Sequence, residues 1–472
     1  MTIHSRMTYL MHKRTLALVA ALGIAAAACK DSTSVTDLNN VSAEALSGGL
    51  TPSSTQLLVT GLLNGTRANS GGYILFGETF ARDFYRLDNA ENRFITETIG
   101  GPSDFSGFVG AGLFTQFYIT VRTGNTILNA LPTATGLSTA EVAGTRGFVR
   151  TFNALALYRA LEFRDSIGIA IDVNHPIDDP PAAFVCKPNA LASISASLDS
   201  AAADLASAGP AFPFTLPGGF SSNGDFTTPA SFLRINRALK GKVELYRGLE
   251  HSKPNAGSFG AALTALNTAI GGAVPTTATG LAIGVYNLYS TGAGEVRNPI
   301  ADANIYLNPS VGDSIQAGDA RGAKILTVPT KSLFGVSTKY KTPLTDPTGL
   351  NKPIAIFKVS EMLLLRAQVK IELGDLVGAA ADINAVRTAE GGLPAIAVPA
   401  TKADAISAVL YEKRFSLLGE GPQRFVDLRA YNRLNGSFLK KELPGDIFQA
   451  ALPIPKREFD TRNVTSITLT CS

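Results

Sequence analysis

The sequence predicts a mainly α-helical protein in which paired helices alternate with long irregular insertions. Three observations predict this fold class. Apolar residues recur at spacings of three and four in several segments, alanines are frequent within those segments, and stretches rich in Gly, Ser, Thr and Pro separate them. Of the 472 residues, 45% are hydrophobic and 17% are charged, which excludes a disordered chain. A single long apolar run, near the N-terminus, excludes a membrane protein with several spans.

The N-terminal residues are typical of an export signal. A basic stretch with Arg6, Lys13 and Arg14 precedes an apolar run over residues 15–28. At a rise of about 1.5 Å per residue this run spans about 21 Å, which is less than the roughly 30 Å of a bilayer core. We therefore expect residues 1–28 to be a cleaved signal peptide.

Cys29 follows the apolar run directly, and the three alanines before it resemble a lipobox. In bacterial lipoproteins such a cysteine is acylated, and two or more acyl chains give a stable membrane anchor. We expect Cys29 to carry this lipid, palmitate among its acyl chains. An ordinary secretory signal with an incidental cysteine is the alternative.

The charge of the remaining chain is balanced. Removing the three basic residues of the leader from the 42 Lys and Arg leaves 39, against 38 Asp and Glu. A nucleic-acid-binding protein needs a basic face to neutralise phosphates, so this balance gives no indication of a nucleic-acid partner.

Several segments have the periodicity of helices with one buried stripe. The clearest is Phe357 to Glu390, which has the length of one tetratricopeptide-type hairpin and places Gly374 where the chain must turn. Other small-residue helices recur before it, so we predict a tetratricopeptide-like scaffold. These other segments are 112–131, 138–163, 189–208, 231–250 and 257–270.

Three irregular insertions interrupt the helices: Gly71–Asp104, Gly209–Pro229 and Gly271–Pro353. Structureless stretches of this length in a compact domain are usually functional, so we expect ligand contacts there. The predicted organisation is a signal peptide (1–28), a lipid-attached tether (29–50) and a single domain (51–472), the last made of a helical part (51–270), a loop-rich insertion (271–353) and a C-terminal hairpin and tail (354–472).

The sequence contains no recognisable catalytic or metal-binding pattern. His175 and His251 are the histidines outside the leader, and the motifs of zinc enzymes, serine hydrolases and phosphate-binding loops are not found. We therefore predict no catalytic residues, no metal and no cofactor.

A dense polar cluster lies between residues 412 and 429. Glu412 and Glu420 could suggest a glycosidase, because those enzymes use two carboxylates. An Arg stands near each acid, which favours ionised carboxylates that lock a helix to the following loop. We therefore interpret the cluster as structural; its residues are Glu412, Arg414, Glu420, Gly421, Arg424, Asp427 and Arg429.

This cluster resembles a pattern of the SusD/RagB family of nutrient-binding lipoproteins, E-R-R-x-E-L-x-x-E-G-x-R-x-x-D-L-R. Lys413 and Ser416 depart from it. Three other segments resemble family features in the same order along the chain. These are Gly318–Arg321, residues 357–367 with 383–387, and Leu452–Glu458.

The resemblance implies a tetratricopeptide-like, SusD-like α-solenoid on the cell exterior, anchored in the outer membrane beside a TonB-dependent, SusC-like transporter. It implies no catalysis and no cofactor. The substrate would be an oligosaccharide or peptide, bound by the first and third insertions. The candidate contact residues are Tyr73, Phe84, Tyr85, Arg86, Asp88, Asn89, Tyr286, Tyr289 and Tyr306.

Two questions stay open at the level of sequence. Cys186 and Cys471 could form a disulfide in an oxidising envelope compartment, or they could be two separate thiols. A lipid-anchored helical scaffold that binds other envelope proteins, and no nutrient, is the alternative function.

Overall fold

Helices dominate the residues that the computed structural model describes, which are 49–472 except 69, 105–107, 110, 177, 253, 346, 470 and 472. The predicted signal peptide, Cys29 and almost all of the predicted tether lie outside these residues. Residues 49–472 belong to one compact unit. No helix in the described ranges is both long enough and apolar enough to cross a membrane.

The N-terminal part is a series of antiparallel helix pairs. Its helices are α1 (Pro52–Ala68), α2 (Ser70–Phe80), α3 (Arg93–Thr96), α4 (Ala111–Ala130), α5 (Thr139–Arg164), α6 (Lys187–Ala206), α7 (Pro229–Gly248) and α8 (Gly257–Ile270). From α4 to α8, each helix packs against the next in the chain. This is the arrangement that the periodic stripes predicted.

The C-terminal part continues the helical packing. Its helices are α9 (Ala278–Leu281), α10 (Pro309–Ser314), α11 (Val359–Glu372), α12 (Leu376–Ala389), α13 (Lys402–Ser416), α14 (Gln423–Ala430) and α15 (Lys456–Arg462). Gly374 has a φ of +83° between α11 and α12, as the predicted hairpin requires. Helix α11 also packs against α7, α8 and α13, so it joins the two parts. The predicted fold class, mainly α with tetratricopeptide-like hairpins, is confirmed.

Buried small residues bring the paired helices together. Ala367 on α11 and Ala379 and Ala380 on α12 are buried where the two helices meet.

At the start of α5, Ser138 and Glu141 form a capping box, in which each side chain accepts a hydrogen bond from the backbone N–H of the other residue.

Short strands lie mainly in the insertions. They are β1 (Phe84–Arg86), β2 (Ile169–Ala170), β3 (Phe184–Val185), β4 (Gly284–Asn287), β5 (Ile305–Leu307), β6 (Leu326–Leu333), β7 (Val336–Lys341) and β8 (Ile354–Lys358). One antiparallel sheet has the order β1-β5-β7-β6; β2 pairs with β3, and β4 pairs with β8. The pairing of β1 with β5 brings the first and third insertions together.

The prediction of an irregular segment over Gly71–Asp104 was wrong for its first ten residues, which belong to α2. This helix is buried on nearly all sides, from Tyr73 to Phe80. A helix that is apolar all round has no polar face, so no amphipathic period reveals it. Its glycines also resemble loop composition.

Candidate functional site

Four of the predicted contact residues belong to the core. Tyr73, Phe84, Tyr85 and Tyr289 are each less than 9% exposed. The Tyr73 hydroxyl donates a hydrogen bond to Glu162 Oε2 at 2.6 Å. Buried rings present no face to a ligand, so these residues leave the candidate surface. The first three of these residues lie in a segment that was predicted to be loop. In the structure, Tyr73 lies on the buried helix α2, and Phe84 and Tyr85 lie on β1.

The aromatic residues of the third insertion are divided between two places. Tyr286 lies on β4 and donates a hydrogen bond from its hydroxyl to the Ala282 carbonyl at 2.5 Å. The nearby Tyr289 hydroxyl is 2.9 Å from Ser70 Oγ. Tyr306 lies on β5, opposite Tyr85 of β1. The structure therefore places Tyr286 in the β4–β8 pair, Tyr289 against α2, and Tyr306 in the sheet with β1.

Arg86, Asp88 and Asn89 stay together at the surface, where β1 ends. Arg86 Nη2 is 3.4 Å from Asp88 Oδ2 and 3.0 Å from Asp302 Oδ2, so it bridges the first and third insertions. Leu87 N donates to the Asn304 carbonyl at 2.8 Å and holds the same two segments together. Asn89 is exposed beside them.

Two partly exposed phenylalanines complete this surface. The Arg86 guanidinium carbon lies 4.2 Å from the ring centroid of Phe94, and that of Arg93 lies 4.1 Å from the centroid of Phe108. The two rings meet edge to face with their centroids 5.0 Å apart. We call Arg86, Arg93, Phe94 and Phe108 the arginine–phenylalanine platform. Of these four residues, only Arg86 was predicted from the sequence. The signal for Arg93 and Phe94 was the alternation of aromatic and charged residues within the first insertion, whereas Phe108 lies four residues beyond it.

Hydrogen bonding fixes the charge state beside the platform. Arg93 donates to Glu91 from Nε at 2.9 Å and from Nη2 at 2.5 Å, and these side-chain bonds lower the pKa of Glu91 to about 2. Glu91 is therefore ionised at neutral pH. The surface combines guanidinium donors with the carboxylate acceptors of Asp88, Glu91 and Asp302. Donors and acceptors next to aromatic rings suit a ligand with many hydroxyl groups.

The polar cluster of residues 412–429 connects distant segments of the chain. Glu412 Oε2 lies 2.6 Å from Arg321 Nη1, and its Oε1 accepts from Arg387 Nη1 at 2.9 Å. These arginines belong to the Gly318–Arg321 segment and to α12. The expectation that the cluster joins a helix to the loop after it was therefore too local, because several of its partners are far away in sequence.

The other cluster residues follow the same pattern. Arg414 and Arg424 approach Asp83, next to β1. Asp427 pairs with Lys413 at 2.6 Å, and Gly421 has a φ of +157° in the loop before α14. Arg429 pairs with Asp165 at 3.0 Å. The C-terminal cluster thus contacts the N-terminal helical part.

The glycosidase alternative disagrees with this geometry. Glu420 Oε1 accepts a hydrogen bond from Lys358 Nζ at 2.5 Å, and only 1% of the Glu412 side chain is exposed. Burial raises the pKa of both acids, against the lowering effects of their cationic partners. Each carboxylate is inside an ion pair, so neither faces a space where a sugar would fit.

Cys186 and Cys471 are joined by a disulfide, with their Cα atoms 5.6 Å apart. The bond places the C-terminal tail beside β3. Within the described part of the chain, no group of three or more His, Cys, Asp or Glu side chains could hold a metal ion.

Comparison with known proteins addresses the fold. A model of the SusD family matches residues 333–465. A SusD superfamily protein from Bacteroides thetaiotaomicron is 16% identical, with a TM-score of 0.66 over 89% of this chain and 100% of that chain. One from Parabacteroides distasonis is 13% identical, with a TM-score of 0.66 over 86% of this chain and 97% of that chain. The chain has the SusD fold.

A third solved structure with the SusD fold is surface glycan-binding protein A from Bacteroides thetaiotaomicron, in complex with laminarihexaose. It is 13% identical, with a TM-score of 0.61 over 85% of this chain and 97% of that chain. No curated protein matches the sequence. The resemblance to the SusD/RagB family that the motifs predicted is confirmed.

The SusD-family match and the platform occupy different parts of the chain. Residues 333–465 include α11 to α14 and the polar cluster, whereas the platform lies between Arg86 and Phe108. The family likeness in sequence therefore lies in the part of the chain that holds the buried ion-pair network. The platform lies outside it.

Proposed function

We propose that this chain is a surface-exposed lipoprotein of the outer membrane that binds an oligosaccharide and delivers it to a TonB-dependent barrel transporter. The observation that carries the proposal is the arginine–phenylalanine platform, a half-exposed polar and aromatic surface that Arg86 links to Asp302 of the third insertion. Surface glycan-binding protein A, which shares the fold and is solved with laminarihexaose, supports an oligosaccharide as the ligand. The role is binding and delivery, without catalysis.

The platform would bind a sugar through complementary contacts. The rings of Phe94 and Phe108 pack against the guanidiniums of Arg86 and Arg93, so the arginine N–H groups are held in place before a ligand arrives. Fixed donors lose little conformational freedom when they bind hydroxyl groups. The nearby carboxylates, such as Asp88, accept hydrogen bonds from the same hydroxyl groups.

The membrane anchor and the transporter partner are proposed from the sequence. A lipid on Cys29, followed by the tether to residue 50, would hold the helical domain at the membrane. Replacing Cys29 by Ser should release the protein from the membrane fraction and abolish incorporation of labelled palmitate, as measured by fractionation and metabolic labelling. Cross-linking in cells should recover a TonB-dependent barrel with the wild-type protein.

Calorimetric titration with a panel of neutral oligosaccharides tests the binding site. We expect Phe108→Ala to weaken binding of the best ligand at least tenfold, because it removes a ring that supports Arg93. Val377→Ala is the matched control, since Val377 is 68% exposed on the α11–α12 hairpin, outside both insertions. Equal loss in both variants would contradict the platform. Capture of envelope proteins with no oligosaccharide bound would favour the scaffold alternative.

A further inference from the structure

A second polar space lies on the other side of β1 from Arg86. It is a cavity of about 520 Å³ between α10, the turn that joins β6 to β7, and residues 438–442. Arg82, Arg414 and Arg424 all line it, and none of the platform residues does. We call this space, defined by these three arginines, the arginine cavity.

Arg424 is the cavity residue with the least satisfied charge. Its side chain is 17% exposed, and its Nε is 3.3 Å from Asp83 Oδ2. That contact lacks hydrogen-bond geometry, and the buried Nε atom has no hydrogen-bond partner among the residues that the structure describes. Asp83 Oδ1 instead accepts from Arg414, at 2.9 Å from Nε and 2.6 Å from Nη2. The single carboxylate of Asp83 is thus the counter-charge for both Arg414 and Arg424.

Neighbouring acids leave this excess of positive charge in place. Burial, and then the charge of Asp83, raise the pKa of Glu78 well above its usual value, which weakens Glu78 as a counter-charge to Arg424. Arg82 pairs with Asp446. Burial, and then Arg414, lower the pKa of Arg424 to about 10, as expected for a guanidinium without a full counter-charge. Arg424 is still protonated at neutral pH.

Other charged groups face the cavity, and they are arranged around its edge. Glu442 Oε1 accepts from Asn308 Nδ2, and burial raises the pKa of Glu442. Asp313 and Lys440 are exposed residues of opposite charge in the lining. They balance each other and do not supply Arg424 with a partner.

The lining also offers contacts for a ring with hydroxyl groups. Phe438 is 53% exposed in the lining, so its ring is accessible from solvent. Ser310, Ser337 and Asn308 also line the cavity, with side chains that hydrogen-bond to Arg414, Ser332 and Glu442. The volume lies within the roughly 300–1,000 Å³ that is usual for small-ligand sites. The Arg433 guanidinium lies 4.9 Å from the centroid of the Phe438 ring and covers one of its faces. A cationic group and a partly exposed aromatic ring in the same cavity suit a ligand that combines a carboxylate with a sugar ring.

We propose that the arginine cavity binds an acidic sugar, a uronic acid residue of a glycan, with its carboxylate on Arg424 and its ring against Phe438. Arg424 would then gain the charge-assisted hydrogen bonds that it lacks. The ligand class rests on the proposed oligosaccharide-binding function, but the site is separate from the platform.

A matched pair of ligands tests the charge directly. Trigalacturonate and its methyl ester have the same rings, and only the former is anionic. We expect calorimetry to show trigalacturonate binding at least tenfold tighter than the ester, with the difference shrinking at high salt. Equal affinities would overturn the proposal, and so would equally tight binding of a short neutral peptide with a free C-terminal carboxylate, since that ligand has no sugar ring.

Variants then place the binding in the cavity. Arg424→Gln should weaken trigalacturonate binding at least tenfold, and Arg424→Lys should restore part of it. Because Arg424 is largely buried, Phe438→Ala provides a test at an exposed residue, with an expected loss of at least threefold and an unchanged melting temperature. Val377→Ala is again the control. Unchanged binding in a folded Arg424→Gln or Phe438→Ala variant would refute the assignment.

The two proposals fail in different ways. If the protein bound neutral oligosaccharides at the platform but did not prefer acidic sugars, only the proposal for the arginine cavity would be refuted. If the protein bound trigalacturonate but no neutral oligosaccharide, the proposal for the platform would be refuted and the proposal for the cavity would stand.

Discussion

At the scale of single residues, burial shifts the pKa values of the acidic groups as much as their cationic partners do. Glu412 has two arginine partners, yet burial raises its pKa. Glu91 has one arginine partner at the surface, and its pKa falls to about 2. The sequence shows which acids stand near arginines, but the degree of burial follows only from the fold. An acid–arginine pair in a sequence therefore does not by itself indicate an ionised carboxylate.

Glu78 provides a test of this rule through the pH dependence of stability. Burial raises its pKa, so the folded protein holds a proton there at a pH where the unfolded chain has lost it. The free energy of unfolding should then fall as the pH rises above about 4.5, toward the folded pKa. Glu78→Gln keeps the oxygen that accepts from Gly419 N and carries no charge. We expect the variant to be at least about 1 kcal/mol more stable than wild type at pH 8.

Urea unfolding between pH 5 and pH 9 measures this difference. Glu91→Gln is the control, because the pKa of Glu91 is low in the folded protein and ordinary in the unfolded chain, so Glu91 is ionised in both states above about pH 6. Above that pH, its free energy of unfolding should change with pH in parallel with that of the wild type. If Glu78→Gln and wild type also ran parallel, Glu78 would be ionised in the folded protein.

At the scale of elements, the sequence predicts most of the long helices that have one polar face, and takes α2, which is buried on nearly all sides, for loop. The hairpin of α11 and α12 was predicted from its period and from Gly374. Helix α2 was predicted as loop, since its apolar residues point in all directions and its glycines suggest flexibility. That error also explains why Tyr73 was taken for a surface residue.

The candidate site shows the same limit. Arg86, Asp88 and Asn89 were found because they share one insertion, and adjacent positions remain adjacent in the structure. Phe94 and Phe108 were missed because exposure and stacking depend on how the first insertion and the residues after it fold. The meeting of the first and third insertions is a strand pairing across more than 200 residues, which no local pattern indicates.

Gly77 tests how tightly α2 packs. A Cβ atom at this position would lie 2.4 Å from Pro422 Cβ and 2.6 Å from Pro422 Cα, so α2 would have to move away from the start of α14. We expect Gly77→Ala to lower the free energy of unfolding by about 1–3 kcal/mol. Gly61 in α1 is the matched control, because nothing lies within 4 Å of its added Cβ. Gly61→Ala should stabilise the protein by about 0.5–1 kcal/mol.

Chemical denaturation of the two variants decides the point. The changes in the free energy of unfolding should have opposite signs. Both variants add the same methyl group inside a helix, but only the one at Gly77 meets a neighbouring residue. A gain of stability in Gly77→Ala would mean that α2 and the loop before α14 are further apart than the structure shows.

At the scale of the whole molecule, long-range links hold the helical pairs together. Asp83 beside β1 contacts Arg414 and Arg424, and Arg429 contacts Asp165 after α5. These links connect the N-terminal part of the chain to the C-terminal part.

The disulfide is a covalent link between distant parts of the chain, and its contribution to the free energy of unfolding can be measured. Cys186 and Cys471 are separated by 285 positions. Closing so long a loop restricts the unfolded chain strongly, so we expect reduction to lower the free energy of unfolding by about 2–5 kcal/mol. Thermal and urea unfolding with and without dithiothreitol test this. The Cys186→Ser/Cys471→Ser variant should match the reduced wild type and show no response to dithiothreitol. An unchanged wild-type transition on complete reduction would show that the apolar contacts of Ile467 and Leu469 with the Phe114–Phe184 cluster, and not the disulfide, fix the tail to the rest of the domain.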